Sequence, residues 1–159
     1  MTWKPYDLDH RAMSLVLSAL RRDPKSLNQA YKMRTICAFG LERFWGEHLR
    51  LLQSSNKDDK NKGMLVQDTW DEFRKLMTDI TPSLAAALPT IIEVNIPGEA
   101  GEARSDRIIH AVEESAQSLW SLKIDDQRNC LSVLTVLCDA VVWWTQRLKP
   151  NQTDVPVQE

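Results

Sequence analysis

Four basic residues between positions 25 and 50 form the strongest chemical pattern in the chain. Lys25, Lys32, Arg43 and Arg50 are separated by seven, eleven and seven residues. At about 100° per residue one α-helix would return all four to within about 20° of a line, giving a straight row of cations on the order of 38 Å long. Phosphate backbones suit such a row, because they call for repeated positive charge on a rigid track and for no base-reading groups. Arg21 and Arg22 precede the row, and Lys57, Lys60 and Lys62 follow it. Together these are the candidate nucleic-acid-binding residues. A plainer reading stands beside this one: any surface helix has a solvated charged face, and Glu47 falls only about 40° from the same line.

Other chemistry finds little support. A metal centre needs converging ligands, and the chain offers His10, His48, His110, Cys37, Cys130 and Cys138 with no CxxC, HxxxH or ExxH spacing. Cys130 and Cys138 fall roughly on one side of a helix and read as small buried hydrophobes. Nucleophile motifs of the GxSxG type and phosphate loops of the GxxxxGK[ST] type are absent. The expectation is therefore a binding protein, with no catalytic residues, cofactor or metal. Two charges sit on otherwise apolar faces, Arg34 in the second helix and Asp139 in CLSVLTVLCDAVVWW. A buried ion costs several kcal/mol unless it is paired, so their mutual pairing in the core is the economical arrangement, with a snorkelling arginine as the alternative. Among six tryptophans, Trp143 and Trp144 are adjacent and point about 100° apart on a helix, which leaves one of them available to a partner.

These residues must be held by helices. A first helix is expected from Leu8 to Arg22, capped by Asp7, with Leu8, Ala12, Leu15, Val16, Ala19 and Leu20 on one side. Asp23-Pro24 then starts a long second helix running from Pro24 to Gln53, which Gly40 and Gly46 weaken but no proline interrupts. Its inward face collects Leu27, Ala30, Tyr31, Cys37, Ala38, Leu41, Trp45, Leu49 and Leu52. Residues 54–63 contain no apolar side chain and read as a mobile loop. A third helix follows from Leu65 to Asp79, and Thr81-Pro82 starts a short fourth through Leu88. Residues 90–104, with Pro97, Gly98 and Gly101, form an irregular connection in which Ile91, Ile92, Val94 and Ile96 can dock. Ser105 or Asp106 caps a fifth helix to about Lys123, with Ile108, Ile109, Val112, Ala116, Leu119 and Trp120 inward. Asp125 caps the sixth, which Pro150 stops. The reading is an all-α, single-domain helical bundle of five to six helices over residues 1–150, with a flexible tail at 151–159.

Composition agrees with a globular chain: 159 residues, 43% hydrophobic and 26% charged. The opening residues lack the apolar stretch of a secretory signal, three cysteines make no disulfide framework, and the longest apolar run is shorter than a membrane span and carries Asp139. These features point to the cytoplasm and away from membranes. The net charge of −2 hides an asymmetry, since residues 1–75 hold 14 Lys and Arg against 10 Asp and Glu, and residues 76–159 hold 6 against 12. Such a division bears on association rather than on fold.

Two stretches carry a resemblance to a known family. HRAMSLVLSALRR followed by AYKMRTICAFGLERFWGEHLRLL, and DDQRNCLSVLTVLCDAVVWWTQRLK, together resemble the small helical subunit of CRISPR–Cas effector complexes of the Cascade and type III kinds. The shared features are an Arg-Ala opening helix, a Tyr, a Gly-Leu pair at Gly40 and Leu41, and a closing helix with Trp before a basic cluster. The chain departs from the pattern in having no proline before Gly40, and residues 54–104 are unmatched. The resemblance implies a non-catalytic subunit present in several copies beside other effector subunits, steadying a guide RNA with its target, or the displaced strand, through basic side chains. Against it stands a purely protein-binding helical module, an adaptor or regulator with no nucleic-acid role, and, further off, a small helical enzyme. Salt-dependent nucleic-acid binding separates the first two, and metal analysis addresses the third.

Overall fold

The structure is a computed structural model that describes residues 7–150. Among these the chain is all-α: seven α-helices, two short 3-10 turns and no strand. Helix α1 spans Leu8–Arg22 and buries Ala12, Leu15, Val16 and Ala19, the face expected from its periodicity. Asp7 precedes it without capping it, because its carboxylate lies 3.1 Å from the His10 ring instead of on a backbone amide. Asp23 then ends α1 in extended backbone and accepts from the Lys25 amide at 3.0 Å, so that Pro24 opens a 3-10 turn over Pro24–Asn28.

The expected long second helix is broken. Beyond that turn come α2 (Gln29–Ile36), a 3-10 turn (Cys37–Phe39) and α3 (Leu41–Gln53). The break falls at Gly40, whose φ of 107° is one that side-chain-bearing residues rarely adopt. Redirecting the chain there turns Tyr31 and Ala38 outward, against the expected face, while Met33 and Phe44 are buried.

The expected loop at 54–63 is also corrected. Helix α4 spans Lys57–Ile80, so it starts inside the expected loop and eight residues before Leu65, where the third helix was expected to begin. Asn56 caps it, accepting from the amides of Asp58 at 2.8 Å and Asp59 at 3.3 Å, and those two carboxylates occupy the first turn, where the helix dipole favours them. Only Ser54, Ser55 and Asn56 separate α3 from α4, so the two form a helical hairpin. A Cβ on Gly63 would lie 2.9 Å from Leu51, which shows how closely the helices approach.

Helix α5 (Pro82–Ala87) leads into an extended strap that crosses to α6 (Gly101–Trp120). Two indoles hold the strap, Trp70 donating to the Pro89 carbonyl at 2.8 Å and Trp45 to that of Thr90 at 3.0 Å. Its own Ile92 and Val94 side chains are buried. Helix α6 starts five to six residues earlier than expected, leaving Ser105 and Asp106 inside it, and of its expected inward residues Ile109 and Trp120 are exposed. Helix α7 (Ile124–Leu148) follows Lys123, with Asp125 in its first turn rather than at its cap. It packs along α1 and α2, and its buried Cys130, Leu134, Leu137, Cys138 and Val141 join the core built around Trp70, Phe44 and Phe73. The expected tail, 151–159, lies outside the described residues. No helix among those described is long and apolar enough to cross a membrane.

Candidate nucleic-acid interface

The breaks at Asp23, Cys37 and Gly40 dismantle the straight basic row. Lys25 lies in the first 3-10 turn, Lys32 in α2, and Arg43 and Arg50 in α3, so no one axis carries all four. Three of the expected contacts are taken up internally. Lys25 lies 3.9 Å from Asp58, Arg22 pairs with Asp68 at 2.8 Å, and Arg50 pairs with Glu47 one turn earlier on its own helix. The Arg43 guanidinium sits 5.5 Å over the Phe39 ring.

A different grouping replaces the row. Arg11 near the start of α1 bridges Glu72 and Asp79 of α4, whereas Arg22 at its end reaches Asp68 and the adjoining Asp23 accepts from the Asn61 amide at 3.2 Å. The two helices therefore run antiparallel, and the last turn of α1 meets the first turns of α4. The α3–α4 hairpin brings the end of α3 to the same place. Lys149, which follows α7, bonds to Asn28, so the end of α7 arrives there too. Arg21, Arg22, Lys25, Arg50, Lys57, Lys60, Lys62 and Lys149 consequently gather at one end of the bundle. Lys32, one turn beyond Asn28 in α2, borders this end, and Arg43, near the start of α3, does not join it. Among the described residues Arg21, Lys57, Lys60 and Lys62 form no ion pair, and all but the partly covered Lys62 are exposed. At the opposite end Asp7 and Asp9 open α1 and Asp125 and Asp126 open α7, while Arg11 neutralises Glu72 and Asp79 of α4.

Lys149 was missed by the spacing argument because helices far apart in sequence bring it in; its place just before Pro150 at the end of the last helix was the available signal. The neighbouring Trp143 is 48% exposed, but Arg147 lies 3.8 Å over its ring and Trp144 packs against it at 4.9 Å between centroids. One ring face is thus already occupied by a cation.

His48 is the one buried histidine. Its Nδ1 donates to the Trp45 carbonyl and its Nε2 accepts from the Ile92 amide at 3.1 Å, so it pins the strap in its neutral form. Burial pushes its pKa below the usual value. An open groove of about 490 Å³ between α1 and α4 is lined by charges that mostly pair across it, Arg11 with Glu72 and Arg22 with Asp68. Asp71 on its floor has its pKa raised, by burial first. No cluster of three or more His, Cys, Asp or Glu side chains that could hold a metal ion occurs among the described residues.

The chain matches no protein-family model, no curated protein and no solved structure. The resemblance to effector subunits therefore stands on the residues quoted for it alone.

Proposed function

We propose that the chain is a non-catalytic, nucleic-acid-binding scaffold subunit, one helical domain working in the cytoplasm and engaging phosphates through the basic end of its bundle. The observation that supports this is the gathering of Arg21, Lys57, Lys60 and Lys62, cations without carboxylate partners among the described residues, where α1, α3 and α7 end and α4 begins. A side chain already neutralised by a neighbouring carboxylate releases few counterions, so these four carry the reading and Arg22, Lys25 and Arg50 contribute less. The sequence resemblance supplies the proposed setting, an RNA-guided effector in which the subunit lies along guide RNA and target strand, beside other subunits and further copies of itself. Asp9, Asp125 and Asp126 at the far end give such copies carboxylates to meet.

Replacing Arg21, Lys57, Lys60 and Lys62 with Gln should lower the log–log salt slope of binding to single-stranded RNA or duplex DNA by about three units, at roughly 0.7–0.9 per phosphate contact. Helicity should be unchanged. Replacing Arg43, which lies near the start of α3 and away from the end, should leave the slope as it is. A quadruple variant that binds with unchanged affinity and slope, in the presence of its assembly partners, rejects this reading.

A protein-binding module is the second reading. It draws on Trp120 and Ile124, large apolar side chains exposed at the α6–α7 junction, and on Ile109, exposed in the middle of α6.

A further inference from the structure

Two of the three cysteines meet in the core where α2 ends. Arg34, in the last turn of α2, is held on Asp139 of α7. That pair sets a register in which Cys37, three residues onward, faces Cys138, one residue back. Both side chains are buried in the same apolar cluster. The 3-10 turn that carries Cys37 packs on α7, with Cys138 and Thr135 beside Cys37, and the Cys37 thiol donates to the Met33 carbonyl at 3.3 Å. Cys130 lies two turns earlier on α7 and takes no part.

We propose that Cys37 and Cys138 are a hydroperoxide-oxidisable pair that closes an intramolecular disulfide between the 3-10 turn before Gly40 and α7.

The environments of the two sulfurs divide the roles. The hydrogen bond from Cys138, then that from Thr135 and the nearby Arg34 guanidinium, bring the Cys37 pKa below the ordinary thiol value despite burial. Cys138 is pushed well above it by its hydrogen bond to Cys37 and by burial. Cys37 is thus the attacking sulfur and Cys138 the resolving one. The Cys37 thiolate attacks hydrogen peroxide: an S–O bond forms, the O–O bond breaks, and the departing hydroxide is protonated to water. The Cys138 thiol then attacks the sulfenic sulfur: the S–S bond forms, the S–O bond breaks, and hydroxide leaves with the Cys138 proton as a second water. Two thiols are oxidised and one peroxide is reduced. Access comes from the turn itself, since Ala38 and Phe39 beside Cys37 are exposed and the helix is already broken at Gly40, so a brief local opening reaches the sulfur. Once closed, the bridge fastens the segment before Gly40 to α7.

Cys130 serves as the internal control, because burial pushes its thiol up to about 11. The full chain, treated with hydrogen peroxide, denatured and alkylated, should keep one reactive thiol of its three, and peptide mapping should join Cys37 to Cys138 and leave Cys130 alkylated. Dithiothreitol should restore all three. In Cys138→Ser the reaction should stop at a Cys37 sulfenic acid trapped by dimedone, and in Cys37→Ser no adduct should form at Cys138. Three alkylated thiols after peroxide, a link through Cys130, or a link only between chains overturns the proposal. Should Cys138→Ser fail to fold, the map of the unaltered chain decides the matter alone.

Discussion

Helices α4 and α6 are of similar length, 24 and 20 residues, yet they hold the molecule together to very different degrees. Helix α4 buries Leu65, Val66, Thr69, Trp70, Phe73, Leu76 and Met77 and touches α1, α3, α5 and α7. Helix α6 fully buries only Leu119, meets the rest of the bundle chiefly along α3, and leaves Ile109 and Trp120 in solvent. Both show helical spacing of apolar residues. Periodicity reports that a face exists, and the neighbours decide whether it is covered.

The largest expected effects break this contrast directly. Trp70 is 0% exposed, packs against Phe44 and Phe73 with ring centroids 6.1 and 5.1 Å away, and ties the strap through Pro89. Trp70→Ala should cost about 3–5 kcal/mol in urea unfolding. Trp120 is 62% exposed, and Trp120→Ala should stay within about 0.5 kcal/mol. If the two variants unfold at the same urea concentration, α6 is packed more deeply than its burial indicates, and the contrast fails.

An intermediate effect tests the strap that leads to α6. His48 must be neutral to accept the Ile92 amide, and burial depresses its folded pKa below 6.5. Between the folded and unfolded pKa values the unfolded chain binds more protons, so stability is complete above pH 6.5 and falls as the pH drops. The slope should reach at most about 1.4 kcal/mol per pH unit. Asp71 acts oppositely and at lower pH, since its raised pKa makes protonation favour the folded form above the usual 3.8. Urea midpoints between pH 7.5 and 5 should therefore fall for the unaltered chain and run nearly flat for His48→Gln. An equally steep fall in the variant assigns the dependence to another group.

How far the sequence reveals this architecture depends on the kind of signal. Cap-and-proline starts at Asp23-Pro24 and Thr81-Pro82 are local chemistry, and an element begins at each proline, although the first is a 3-10 turn and the Thr81 side chain makes no capping hydrogen bond. The break at Gly40 is local too, but a glycine inside an apolar pattern marks both a weakened helix and a turn, and only the surrounding packing selects φ of 107°. Residues 54–63 lack apolar groups, which favoured a loop. The Asn56 cap and the Asp58 and Asp59 carboxylates were the stronger information. The basic row failed with the helix that was to carry it, because collinearity over 25 residues requires one unbroken axis. The basic end that replaces it depends on antiparallel packing of α1 on α4 and on the return of α7, long-range facts with no local trace.

The smallest effect concerns a pairing that residue chemistry did reveal, though in the wrong surroundings. Arg34 and Asp139 meet across α2 and α7 as expected, but the two side chains are 41% and 56% exposed rather than buried. Burial would have made the loss of Asp139 worth several kcal/mol, through an uncompensated cation in the core. At this exposure water solvates the stranded guanidinium, and the pair is worth only about 0.2–1 kcal/mol. Asp139→Ala should thus cost less than about 1 kcal/mol, and a double-mutant cycle with Arg34→Ala should return a coupling within that range, shrinking further in high salt. Tyr31 on α2 and Val136 and Trp143 on α7, apolar positions of the same two faces, are exposed as well, so the charges stand at the rim of the core. A coupling of 3 kcal/mol or more, insensitive to salt, would show that the seam between α2 and α7 excludes water and that the rim belongs to the core after all.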